Sequence, residues 1–151
     1  MDARQPTDQV ITSELPAWIR ASRHAINTIV GGTGLGVTNL DVAGGTTSLS
    51  VGTDLLAVGH ETIIVTGLGA AELATILGGI DGQIKTFIFQ DNNVDMRDGP
   101  KAGGQFWLEQ LPALGLFEPD TDWVMCLTNV GGDGAGDHGY WKEVYRVESV
   151  R

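Results

Sequence analysis

The chain has 151 residues, a formal net charge of -10 and a single cysteine. A chain of this length buries roughly 68–70% of its unfolded surface as one domain, so it needs no metal or disulfide staple, and the lone Cys126 excludes an internal disulfide. Nineteen acidic residues against nine basic ones repel phosphate backbones and anionic lipids, which argues against nucleic acid and membrane partners.

Glycine is the other compositional outlier, with 22 residues in pairs and short clusters between apolar runs. That density fits tight turns linking short strands. No run approaches the ~18 apolar residues of a membrane span. The first residues, Met1 to Pro6, lack the apolar stretch of a signal peptide, so the expectation is a product made in the cytoplasm.

In chain order, a polar arm comes first. Ser13-Glu14-Leu15-Pro16 then reads as a helix start, with Ser13 as N-cap and proline in the first turn. From Glu14 to Val30, Leu15, Ile19, Ile26 and Ile29 make one apolar stripe, widened by Trp18, and Gly31-Gly32 ends the helix. So short a helix must pack on something: the body of its own chain, the helices of sister subunits, or another protein. Residues 1–32 therefore read as an arm and helix, and 33–151 as a β-rich domain.

Beyond the helix the apolar period falls to two. Val37, Leu40 and Val42 lead into Ala43-Gly44-Gly45, and Thr47, Leu49 and Val51 alternate beyond it, a hairpin pattern. Thr62 to Thr66, Gln83 to Phe89, Val94 to Arg97 and Gln105 to Leu108 follow as short strands, and Ala70 to Leu77 reads as a strand with a brief helical turn as the alternative. Asp122 to Thr128 and Tyr140 to Val147 flank a glycine-rich loop as a second hairpin. The fold class expected is mainly β: a short N-terminal helix followed by a small antiparallel β-sandwich, jelly-roll-like or β-prism body.

Chemistry-bearing motifs are sparse. Gly31 to Gly36 is spaced loosely like a phosphate loop, but helix precedes strand, the reverse of the order such loops need. Asp91-Asn92-Asn93-Val94-Asp95 has calcium-loop spacing, yet Met96 replaces the required glycine, and a turn made by Asn and Asp is simpler. Gly131 to Gly139, with Asp133, Asp137 and His138, resembles one unit of a calcium-binding repeat that works only when stacked, so it reads as a mobile hairpin loop. There is no Gly-x-Ser-x-Gly elbow, no His-Glu-x-x-His and no paired cysteines, so no enzyme, metal or cofactor is expected. Cys126 sits in an apolar run as a small buried hydrophobe. Trp18, Trp107, Trp123 and Trp141 read as core or interface anchors, with a sugar-stacking platform as the alternative.

Four features carry a resemblance. Gly78-Gly79-Ile80-Asp81-Gly82-Gln83 leads into Phe87-Ile88-Phe89, then Val94-Asp95-Met96-Arg97-Asp98-Gly99, and Trp141-Lys142-Glu143-Val144 closes the chain's last strand. This succession resembles a β-module of tailed-bacteriophage virion structural proteins, with the Gly131–Gly139 loop standing where that family has a tight turn. The resemblance implies a non-enzymatic homotrimer bound to the major capsid protein or another virion protein. The role it implies is a capsid decoration (cement) protein on the outer surface of the particle. A short tail-fibre, neck or baseplate component and a carbohydrate-binding module are the alternatives. The candidate contact residues are Leu15, Trp18, Ile19, Ile26, Ile29, Trp107 and Trp141.

Overall fold

The computed structural model describes residues 36–109 and 115–148, all of which fall in the unit that begins at Gly36. Ten strands follow one another: β1 (Gly36–Val42), β2 (Gly45–Ser50), β3 (His60–Gly67), β4 (Ala71–Leu77) and β5 (Ile84–Phe89), then β6 (Val94–Arg97), β7 (Phe106–Trp107), β8 (Leu116–Phe117), β9 (Val124–Val130) and β10 (Tyr140–Val147). They form a six-stranded sheet in the order β1-β3-β5-β9-β10-β7 and a four-stranded sheet in the order β2-β4-β6-β8.

The chain alternates between the sheets. β1, β3 and β5 pair in parallel in one, and β2, β4 and β6 pair in parallel in the other. Each successive pair of strands is therefore one coil stacked on the last. β9 then runs antiparallel to β5, and β10 antiparallel to β9.

The expected fold is corrected on two points. The described residues contain no helix, and the segment from Glu14 to Val30 lies outside them. The body is also not an antiparallel sandwich, because both sheets are mixed and each is parallel through its first three strands. The cause is local. Ala43-Gly44-Gly45 was expected to turn a hairpin, but Gly45, at φ +92°, donates its N–H to Ala70 O of the next coil at 3.0 Å. The glycines make a corner between sheets, and the strands on either side never pair. The second hairpin, β9 with β10, does form.

Between the sheets lies one apolar core. Ile63, Val65, Phe87, Phe89, Met125 and Leu127 from the larger sheet meet Leu49, Leu73, Ile76, Val94 and Met96 from the smaller. Each such side chain contributes about 1.5–3 kcal/mol when fully buried. Phe89 meets Phe117 edge-on at 6.0 Å between centroids, tying β5 to β8.

A charge pair interrupts this core. Glu61 on β3 stands opposite Lys85 on β5, both wholly buried, with the Lys85 ammonium donating to the Glu61 carboxylate. Glu61 also accepts from the Thr38 hydroxyl on β1 and from Leu56 N–H at 3.0 Å. Lys85 donates to Leu56 O at 2.6 Å. The pair thus links all three parallel strands and fastens the loop between β2 and β3. Burying two charges is near neutral when they are matched, but leaving one alone costs about 3–5 kcal/mol. Lys85→Met is therefore expected to lose about 3–5 kcal/mol in urea unfolding. Adding Glu61→Gln, which removes the orphan charge and keeps hydrogen-bonding groups, should recover more than half of that loss.

Candidate functional site

Of the contact residues expected from sequence, Leu15, Trp18, Ile19, Ile26 and Ile29 lie outside the described residues. Trp141 is wholly buried and donates its Nε1–H to Ile76 O at 2.9 Å, which binds the two sheets together and leaves the ring no surface for a partner. Trp107 is 37% exposed on the short strand β7, with the Lys101 ammonium 4.4 Å above its ring. The two tryptophans do not form a shared platform.

The two outward faces of the body differ sharply in chemistry. On the smaller sheet, Glu72 on β4 stands beside Asp95 on β6, and Arg97 grips Glu72 through Nε and Nη2. Burial, together with the Glu118 and Glu72 carboxylates, pushes the Asp95 carboxyl above its ordinary range. A hollow beside it is lined by Asn92, Asp95, Glu118 and Asp120. This face is ionic and largely acidic.

On the larger sheet, strand pairing sets the outward side chains in rows. Asn39, Ile64, Ile88, Val124 and Val147 form one. Val37, Thr62, Thr86, Cys126 and Tyr145 form the next, and His60, Ile84, Thr128, Lys142 and Trp107 a third. None of these residues is a carboxylate. Ile64, Ile88 and Val124 are half-buried at the middle, while Val37, Tyr145 and Val147 are 49%, 49% and 55% exposed at the rims. The first carboxylate beyond these rows is Asp41, which accepts from Thr66 Oγ1 at 3.0 Å.

A bulge on β10 completes this face. Glu143 pairs with Leu127 and Tyr145 with the adjacent Cys126, so Val144 is an extra residue. Bulges re-aim the side chains that follow. Here Tyr145 and Val147 swing outward, and Arg146 turns to the side of Glu143. Arg146 then holds both carboxylate oxygens of Glu143, at 2.7 and 2.8 Å, with its guanidinium 4.5 Å over Phe117. Burial pushes the Glu143 carboxyl up, but the hydrogen bonds from Arg146 and Glu109 N–H and the Arg146 charge outweigh it, and the group stays below its ordinary value.

The Gly131–Gly139 loop uses its acids on itself. Asp133 Oδ1 accepts from Ala135 N–H at 2.8 Å and Asp137 N–H at 3.0 Å, which lowers the Asp133 carboxyl below its ordinary value. Asp137 Oδ1 accepts from Gly139 N–H at 2.9 Å. Among the described residues no three His, Cys, Asp or Glu side chains converge as a metal site would need. Asp91 likewise closes a turn, accepting from Asn93 N–H at 3.0 Å and from Gly67 N–H at 2.9 Å.

No family model matches the chain, and no curated protein or solved structure matches it either. The geometry therefore carries the functional argument, and its main feature is the outer face of the six-stranded sheet, whose three rows hold no carboxylate. A sequence signal for it existed. Ile63-Ile64-Val65 and Phe87-Ile88-Phe89 are apolar in both phases of the strand, the mark of a strand covered on both faces.

The acidic face yields a prediction. Because folding raises the Asp95 pKa, its ionised form weakens the fold, and stability falls as pH rises through the raised value. Asp95→Asn is expected to raise the melting temperature at pH 7. The gain should vanish as pH falls into the carboxylate range, as read by thermal melts across that range.

Proposed function

We propose that this chain is a non-enzymatic structural protein of a phage virion, acting as a trimeric capsid decoration protein on the outer surface of the head. The observation that carries this reading is the opposition of the two faces. A sheet face with three rows free of carboxylates lies on one side of the core, and an ionic face carrying Glu72, Asp95 and Arg97 lies on the other. Such a body suits assembly by surface contact, with one side for association and the other for solvent. The resemblance of the Gly78–Gln83 turn and the Trp141–Val144 strand to phage β-modules supplies the particle. A net charge of -10 suits the outside of a shell better than its DNA-packed interior.

The mechanism is mass action. Many weak contacts made at once across subunits stabilise the assembled state over the dissociated one, and linked copies bind with an avidity that none has alone. Immunogold electron microscopy of particles from the source lysate, with antibody to the recombinant protein, tests the assignment. Gold spread over heads is the expected outcome. Gold confined to tails moves the protein to a fibre or baseplate address, and unlabelled particles overturn the virion role.

A further inference from the structure

We infer that the three carboxylate-free rows on the outer face of the six-stranded sheet are the contact between copies of this chain, centred on the row Ile64, Ile88, Val124 and Val147. The inference deepens the virion reading and rests on it for its setting. Its evidence, however, is the face itself.

Burial pattern is the first argument. β3 and β5 carry apolar or β-branched side chains on both faces. Their inner face packs on the smaller sheet through Ile63, Val65, Phe87 and Phe89. Parallel strands of this composition are those covered on both sides, so the outer row requires a cover as the inner one does. The β10 bulge strengthens the point, because it places Tyr145 and Val147 on this face, where they stand about half exposed.

Charge selects the occupant. Two copies that each carry -10 repel one another over most approaches. Face-to-face contact through the smaller sheet would set Glu72, Asp95 and Glu118 against their equivalents, at a cost that grows as water is excluded. The larger sheet offers His60 and Lys142 but no carboxylate in its three rows, so it is the approach along which an acidic chain can meet itself. A nucleic acid or lipid surface would need a cluster of cations, and a glycan would need several aromatic rings. The rows hold one lysine, and the Tyr145 and Trp107 rings stand toward the β10–β7 edge, away from the central residues Ile64 and Ile88.

Light scattering on the purified full-length chain, with two charge-insertion variants, is the test. The wild type is expected at a multiple of 16.0 kDa. Ile88→Glu, which plants a carboxylate in the middle row, should fall to the single-chain mass at the same concentration, with its far-UV circular dichroism unchanged. Thr46→Glu, the same insertion on the exposed outer side of β2, should keep the wild-type mass. If Ile88→Glu fails to fold, Val147→Glu at the open rim makes the same test. A monomeric wild type, or an Ile88→Glu protein that keeps its mass, overturns the inference. A monomer that labels particles and loses them on Ile88→Glu also overturns it, assigns the face to another virion protein, and leaves the virion reading standing. An oligomer broken by Ile88→Glu that never labels particles upholds the self-contact and defeats the virion role instead.

Discussion

Two charges buried side by side decide how the parallel strands of this protein stack. The apolar row Ile63 and Val65 faces Phe87 and Phe89, and a shift of two residues would keep those side chains on the same face with similar burial. Hydrophobic contact alone therefore defines the face better than the register. The same shift would separate Glu61 from Lys85 and strand both charges in the core, at a cost of several kcal/mol. The native pairing also satisfies both polar groups of Leu56, so the loop between β2 and β3 closes only over a stack in correct register. Every later element inherits that register: β9 pairs with β5, and β10 with β9. The rows of the outer face exist because the buried pair aligns the strands beneath them.

Close packing at the far end of the core explains part of the glycine content. Gly79 has an ordinary φ, yet a Cβ there would lie 2.2 Å from Asn129 Nδ2 and 2.8 Å from the Trp141 ring. Asn129, buried among these loops, donates to His138 O at 3.0 Å and accepts from Gly132 N–H at 2.9 Å. His138 Nδ1 in turn accepts from Gly78 N–H at 3.0 Å. The His138 imidazole thus ties the loop after β4 to the loop between β9 and β10, which the Asn129 amide braces from within. Glycine at 79 serves proximity, where the composition had suggested turning alone.

Legibility of the fold divides along a physical line. β-branched and aromatic composition in Thr62 to Thr66 and in Tyr140 to Val147 reports extended backbone directly, because such side chains fit a pleated sheet. It does not report strand direction, which depends on where the chain goes after a corner, and Ala43-Gly44-Gly45 serves a hairpin or a sheet-to-sheet corner equally well. Buried charge is also hidden, since Glu61 and Lys85 sit in strands where a charged residue ordinarily marks the solvent side. The β10 bulge is illegible for a related reason. In Trp141-Lys142-Glu143-Val144-Tyr145-Arg146-Val147, strict alternation places Tyr145 and Val147 with Trp141 in the core. Only pairing with Cys126 shows that Val144 is the extra residue. Among the tryptophans, residue type suggested an anchor in each case, and only the packing separated the wholly buried Trp141 from the partly exposed Trp107.

The same packing limits what this body can offer a partner. Glu61, Lys85, Asn129 and Glu143 are buried, and each is matched by groups of its own chain. Their chemistry is committed to holding shape, so recognition falls to the surfaces. A sheet backed by a tightly packed core is a stiff surface, and stiffness lowers the ordering cost of association. Contact through such a face gains little from any single residue and much from rows that run across several strands, which the shared register of β1, β3, β5, β9 and β10 supplies. The ionic face opposite adds orientation, because an assembly that turned it toward its own interior would take the Glu72–Arg97 pair and the Asp95 carboxylate out of water. In the proposed assembly, geometry and charge favour one sense of packing, with the rows free of carboxylates inward and the Glu72 and Asp95 face in water.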